Sequence, residues 1–432
     1  MRVTVIGGGL AGVESAYYLA NRGVEVILYE MRPYTPTAVH RTGYLAELVC
    51  SNSLKSDVPY DASWLLKEEM RLLGSIVIES ARKNAIPGGK SLVVDRGGFS
   101  AYITERLLSH KKIYVIREEC KDIPDSRPLI IATGPLTEGE FAGALKSLLG
   151  EEFLYFYDAT SPIVTRESID ENECFWASRY NYGGADYLNC PLDKHTYERF
   201  YEALISAETV PLEDFEKGIF YEGCLPIEEI ARRDRDALRF GPFKPKGLID
   251  PRTGRMPYAV LQLRREDKEG KLLSLVGCQT KLRWKEQERV FRIIPALKSA
   301  EFVRFGVMHR NTFINSRVLL NPSLSLKTDS GIFFAGQITG VEGYLESSST
   351  GIVAGINTYR LLKGKEPLVF PEETAIGSLI RYITTGDPDN FQPMGINYGI
   401  MPEIKYPSRK ERRRLTAERA IESLRRLLDG IE

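Results

Sequence analysis

Val3-Thr4-Val5-Ile6-Gly7-Gly8-Gly9-Leu10-Ala11-Gly12 decides the fold. Val3 to Ile6 predicts a buried strand, Leu10 to Arg22 a helix, and Gly23 with Val24 to Tyr29 a turn and a second buried strand. This is the first β-α-β unit of a doubly wound α/β domain, with Gly7-x-Gly9-x-x-Gly12 between strand and helix, where a dinucleotide fingerprint has to fall. Gly7 makes the tight turn, Gly9 lets a pyrophosphate approach the backbone, and Gly12 lets the helix pack on the strand, while the helix N-terminus adds N–H donors and positive potential. Glu30 ends the second strand 18 residues after Gly12, placed to accept hydrogen bonds from a ribose diol and to repel a 2′-phosphate. FAD and NAD both satisfy this pattern.

Outward from that unit, helical periodicity covers about Ser63 to Leu73 and Phe99 to Leu108, and Pro128 to Gly134 reads as a buried strand stopped by glycine. From Thr137 to Glu173 nine acidic residues stand against two basic ones and the alternation of strand and helix is lost. A short strand at Gly331 to Gly336, a Gly- and Ser-rich turn and a helix from about Thr350 to Leu362 look like a return to the first domain. Leu415 to Leu428 places its apolar residues on one helical face and should dock on the body. The expected plan is a doubly wound, Rossmann-type dinucleotide-binding domain (a FAD-binding domain, on the resemblance drawn below) at 1–165 and 311–432, the latter ending in a C-terminal helix, with a mixed α+β insertion at 166–310 on the substrate side.

The 432 residues suffice for two or three domains. With 58 basic and 58 acidic residues the formal charge is zero, which excludes a surface that attracts nucleic acid everywhere and leaves any polyanion to a local patch. No run of 18 apolar residues occurs, so no membrane span is expected, and an N-terminus leading straight into the fingerprint suggests a cytoplasmic enzyme. Six cysteines, at 50, 120, 174, 190, 224 and 278, form no Cys-x-x-Cys and have no neighbouring His in a zinc pattern, so neither a disulfide framework nor a structural metal is indicated. Cys224, in Gly223-Cys224-Leu225-Pro226, precedes a predicted helix start, which favours thiolate, although Glu228 and Glu229 oppose this in part. Cys50 lies where the apolar Leu48-Val49 gives way to Ser51-Asn52-Ser53, with Lys55 near. Cys120, Cys174, Cys190 and Cys278 read as small buried hydrophobes.

The Gly-rich start, Val49-Cys50-Ser51-Asn52-Ser53, Gly223-Cys224-Leu225-Pro226-Ile227-Glu228, Leu238 to Pro245, Met308-His309-Arg310-Asn311 and Phe334 to Tyr344 together resemble the folate- and FAD-dependent tRNA (uracil-5-)-methyltransferases, the TrmFO family. A weaker likeness is to the MnmG (GidA) flavoproteins. The resemblance runs from the first strand to about residue 360 and favours FAD, because Ala132-Thr133-Gly134 and Phe334-Ala335-Gly336-Gln337 look like further nucleotide-contact motifs of large flavoproteins. It implies cofactor contacts at Gly7, Gly8, Gly9, Leu10, Ala11, Gly12, Glu30, Arg32, Thr133, Gly134, Gly336 and Gln337. It further implies transfer of a one-carbon unit from methylenetetrahydrofolate through reduced flavin N5 to C5 of uridine 54 in the tRNA T loop. In that scheme Cys224 adds to uracil C6, Cys50 is the second functional thiol, for proton abstraction or protection of the flavin, His309 stacks on the pterin and Tyr344 lines the same cleft. No second Gly-x-Gly-x-x-Gly appears, so NADH or NADPH would dock transiently as reductant.

Three basic runs could hold RNA phosphates. Lys281 to Arg310 is net +5 with Trp284 and Phe291 interleaved, Arg232 to Lys246 is net +4, and Lys405 to Arg414 is net +5. The first two, near Cys224 and His309, are expected to contact phosphate through Arg232, Arg233, Lys281, Arg283 and Lys285, while the third reads as a solvated helix face. The same chemistry on ribosomal RNA, or a flavin oxidoreductase without RNA, stands as an alternative.

Overall fold

A computed structural model describes residues 1–37, 39–151, 153–210, 225–405 and 408–429. Its first layer is a five-stranded parallel sheet in the order Ile332–Phe334, Leu129–Ile131, Arg2–Ile6, Glu25–Tyr29, Ile113–Ile116. All three residues of Leu129–Ile131 and of Ile332–Phe334 are buried, as expected of parallel strands covered on both faces. The late strand Ile332–Phe334 pairs with Leu129–Ile131, so the chain returns to the first sheet after a long excursion.

The helix Leu10–Ala20 packs against the helix Tyr344–Leu362. The expected turn spans Gly336 to Gly343, but the helix expected from about Thr350 begins earlier, at Tyr344, so that Ser347, Ser348 and Ser349 are helical. The reason is close packing. A Cβ at Gly351 would stand 2.2 Å from the Ala11 carbonyl oxygen, and the Ser15 hydroxyl donates to the Gly351 carbonyl at 2.7 Å. Small residues here serve helix-to-helix approach rather than chain reversal. Helices also form at Ala62–Leu72, Arg96–Leu108 and Arg409–Asp429, and the last buries Ala417, Ala420 and Leu424.

The second layer is a six-stranded antiparallel sheet in the order Phe175–Ala177, Tyr187–Leu192, Ala259–Arg265, Leu272–Leu275, Ile163–Thr165, Phe302–Arg304. Helices Lys194–Ile205 and Trp284–Phe291 cover it, and Tyr197, Phe200, Phe243 and Phe291 fill a core of its own. Between the two layers Leu154–Ala159 pairs with Met308–Phe313, which sets Asp158 opposite His309. Among the described residues no helix is long and apolar enough to cross a membrane.

Candidate functional site

The carboxyl ends of the parallel strands open into a cavity of about 430 Å³, where ligands bind in open α/β sheets. One end is made of backbone. Gly7 has φ +103°, and a Cβ there would meet the Ala132 carbonyl oxygen at 2.3 Å; a Cβ at Gly12 would lie 1.8 Å from the Gly7 carbonyl oxygen; Gly9 has nothing within 4 Å and faces open space. Gly9 is the N-cap of helix Leu10–Ala20 without a side-chain cap, so the helix N-terminus is directed at the cavity. Gly7, Gly8, Gly9, Leu10, Ala11, Glu30, Arg32, Thr133, Gly134, Gly336 and Gln337 all line it. Gly12 does not, because it lies beneath the turn. This cradle, closed to side chains at Gly7 and Gly12 and open at Gly9, fits the pyrophosphate of a dinucleotide such as FAD.

Glu30 departs from the simple ribose acceptor. Its carboxylate accepts from Gly8 N (3.1 Å), Arg32 N (2.9 Å), Arg32 Nε (2.9 Å) and a terminal Arg32 nitrogen (2.9 Å). Those four donors saturate the lone pairs of a carboxylate, so a ribose hydroxyl must displace part of the Arg32 fork. Burial pushes the Glu30 carboxyl up, but the hydrogen bonds and charge of Arg32 more than offset this and hold it below the usual value. Arg32 also reaches Glu47 at 3.2 Å. His40, half-buried, is pushed down to about 4 by desolvation and then by the charge of Arg32, and stays neutral at neutral pH.

The other end is made of side chains from distant segments. Cys50, Asp158, His309, Glu342 and Tyr344 meet there. The Tyr344 hydroxyl accepts from Cys50 N at 2.7 Å and Ser51 N at 3.1 Å, pegging the thiol loop to the first residue of helix Tyr344–Leu362. The Cys50 thiol points at Asp158 Oδ2, 3.7 Å away, and His309 Nε2 is 4.0 Å from the same oxygen. Burial, then the charges of Asp158 and Glu342, push the Cys50 thiol well above its ordinary value, so it is a proton donor here rather than a thiolate. Burial also lowers His309, which is neutral at neutral pH, and His309 Nδ1 has no partner among the described residues. The sulfur, oxygen and nitrogen of Cys50, Asp158 and His309 lie within 4.8 Å of one another, a donor set with the chemistry of a divalent-cation site. Lys55, expected near Cys50, is committed to Glu346 at 2.6 Å.

Asp158, Glu342, Glu47 and His40 escaped the sequence reading. Asp158 lies inside an acidic stretch without regular strand-helix alternation, and the ladder pairing it with His309 joins residues 151 apart. Cys120 is corrected as well: it is half-buried, lines the cavity and donates to the Asp122 carbonyl at 3.1 Å. Cys174, Cys190 and Cys278 are buried.

Cys224 lies outside the described residues. Its flanks are placed: Val210 N donates to the Lys281 carbonyl at 2.8 Å and Ile227 N to the Gln279 carbonyl at 2.7 Å. The helix begins at Ile227, with Pro226 as its N-cap. Glu228 turns inward and accepts from Thr280 Oγ1 and Lys281 N, both at 2.8 Å, and burial raises it. Lys281, expected on phosphate, is buried with its ammonium 2.6 Å from Glu229, an internal ion pair that withdraws it from the surface. Arg232, Arg233, Arg283 and Lys285 are exposed; Arg232 pairs with Glu229 at 2.7 Å and Arg283 with Glu208 at 3.1 Å. Basic runs counted along the chain are thus partly offset by acids from other segments.

The family model described as glucose inhibited division protein A matches residues 2–366. A curated relative from Heliobacterium modesticaldum, named methylenetetrahydrofolate–tRNA-(uracil-5-)-methyltransferase TrmFO, is 56% identical over 430 residues, covering 99% of this chain and 98% of its own. One of the same name from Natranaerobius thermophilus is 54% identical, covering 99% of each chain. Among solved structures, Aquifex aeolicus GidA in its form II crystal superposes with a TM-score of 0.70 at 18% identity, over 100% of this chain and 74% of that one, a likeness of fold. On identity that runs from end to end, the chain belongs to the TrmFO family.

Proposed function

We propose that the protein is a FAD- and folate-dependent tRNA (uracil-5-)-methyltransferase, forming 5-methyluridine at uridine 54 of the T loop. The observation that carries this reading is end-to-end identity of 52–56% with relatives of that name. The cavity supports it by joining a dinucleotide cradle to a thiol site without a break. FAD, held along Gly7 to Ala11 with Thr133, Gly134, Gly336 and Gln337, would relay the one-carbon unit from methylenetetrahydrofolate and supply reducing equivalents drawn from NADH or NADPH. The remaining chemistry falls to side chains. A uracil C6 is a soft electrophile suited to the sulfur of Cys224, and the C5 proton then needs an acceptor. Cys50, hydrogen-bonded to Asp158 in a buried setting, can take that role only when its own proton has passed to Asp158. His309 and Tyr344 flank the space available to a pterin ring, and Arg232, Arg233, Arg283 and Lys285 are the surface cations for RNA phosphates.

The test gives purified protein methylenetetrahydrofolate, NADH or NADPH, and either a tRNA transcript or a ribosomal RNA fragment. Formation of 5-methyluridine at position 54 of the tRNA alone is expected. Product on ribosomal RNA alone moves the substrate, and flavin turnover without RNA product rejects the methyltransferase. Cys224→Ala should retain flavin and make no product.

A further inference from the structure

Trp284, Phe305 and Phe302 form a column of parallel rings. Trp284 and Phe305 have centroids 5.5 Å apart and planes 11° from parallel; Phe305 and Phe302 are again 5.5 Å apart, at 6°. The inner end is closed, since Phe302 meets Phe291 and the Arg292 guanidinium lies 6.0 Å from its ring centroid. The outer end is open: Trp284 is 61% exposed although one face is covered by Phe305. The stack fixes the plane of the Trp284 indole and leaves its exposed side available to a further planar ring.

We infer that Trp284 is a stacking platform for an unstacked nucleobase of the RNA substrate. This rests on the proposed RNA methyltransferase reading and deepens it by naming a recognition site.

Position argues for RNA rather than another occupant. The residues flanking the Cys224 segment are both hydrogen-bonded to residues 279–281, immediately before Trp284. On the other side, Arg304, the neighbour of Phe305, donates to the Val49 carbonyl at 2.6 Å, the residue before Cys50. Residues next to the column in the chain are therefore hydrogen-bonded to the flanks of both thiol segments. Arg283 and Lys285 flank Trp284 and are exposed, which complements a phosphate on either side of the stacked base. Glu208 and Glu286 are the nearby acids; Glu208 pairs with Arg283, and Glu286 with Arg289 at 2.6 Å. Every base has a π face, so the platform contributes affinity and register, while base identity is read elsewhere.

The chain has three tryptophans, so a Trp64→Phe/Trp176→Phe double variant reports Trp284 alone. Titrating the flavin-loaded double variant with a T-arm RNA hairpin should quench its fluorescence, because a base stacked on indole removes its emission. Trp284→Ala should weaken hairpin binding roughly ten-fold or more, the scale of one lost base–aromatic stack, and Trp284→Phe should restore most of it, with flavin absorbance and circular dichroism unchanged in both. Hairpin binding without quenching, or Trp284→Ala binding within two-fold of the parent, overturns the platform and leaves the methyltransferase reading intact. A change of oligomeric state in RNA-free Trp284→Ala would assign the ring to a protein contact and overturn it too. Absence of hairpin binding by the parent protein at low salt overturns both.

Discussion

The two ends of the cavity are built in opposite ways. The fingerprint end is backbone, contributed largely by residues 7 to 30, and its shape is dictated by which positions lack a Cβ. The thiol end is side chain, assembled from residues 50, 158, 309, 342 and 344, and its chemistry is dictated by burial and by three acidic or sulfur groups crowding one space. Backbone sites tolerate changes of charge and fail on changes of volume; side-chain sites do the reverse.

The largest expected effect follows from that contrast. Gly12→Ala puts a methyl group 1.8 Å from the Gly7 carbonyl oxygen, with both partners main chain. Helix and strand must part, at the upper end of the ~1–3 kcal/mol typical of overpacked cores. Flavin binding, followed by absorbance after desalting, should be lost; retained stoichiometric flavin would refute the backbone account of this end.

At the thiol end the matching change alters charge and hardly alters volume. Asp158→Asn removes the anion that, after burial, most raises the Cys50 thiol, so the thiol's pKa falls and its thiolate fraction at any given pH rises. Iodoacetamide should label Cys50 severalfold faster at pH 8 in Asp158→Asn, measured by peptide mass spectrometry, with flavin content unchanged. An unchanged labelling rate would show that Asp158 does not govern the thiol.

What was legible in the chain divides along the same line. The strand, turn and helix around Gly7 to Glu30 announce themselves because the fingerprint is local and each glycine has one steric reason. Asp158 was invisible: one carboxylate among nine acidic residues carries no signal of its own until a strand pair sets it opposite His309. Lys281 failed for a related reason, since its burial depends on Glu229, which only the fold brings to it. The serines before Gly351 were read as a turn by composition, and the demand for close helix packing against Ala11 won instead.

Smaller changes separate surface from interior charge. Arg283→Glu/Lys285→Glu should weaken tRNA binding and lower the salt slope by about two, whereas Lys281→Gln should leave the slope unchanged and lower the melting temperature, because it removes the buried one of the two cations that pair with Glu229 and leaves only the exposed Arg232. Equal slopes for both would break the distinction drawn from exposure.

An effect on stability alone, with none on flavin or thiol, lies away from both ends. Buried Glu69 caps helix Ala375–Thr384, accepting from Ala375 N at 2.7 Å and Ile376 N at 2.9 Å, and burial pushes it up to about 8 from 4.5. A folded pKa above the unfolded one means that its contribution is complete below pH 4.5 and is lost as pH rises through 8. The melting temperature should decline across that window, and Glu69→Gln should flatten the decline while sparing flavin and thiol reactivity. A parallel pH profile in wild type and variant would remove Glu69 from the account.

The Tyr344 peg gives the two ends a thermodynamic relation. The Cys50 loop hangs on the first residue of a helix whose Gly351 lies against Ala11, so thiol loop and fingerprint helix share one rod. Coupling through such a rod is reciprocal. If filling the cradle changes the equilibrium for a ligand on Cys50 by some factor, occupancy of Cys50 changes the affinity of the cradle by that same factor. A reversible thiol ligand would then act as a gauge of cofactor binding from across the cavity, without touching the cofactor.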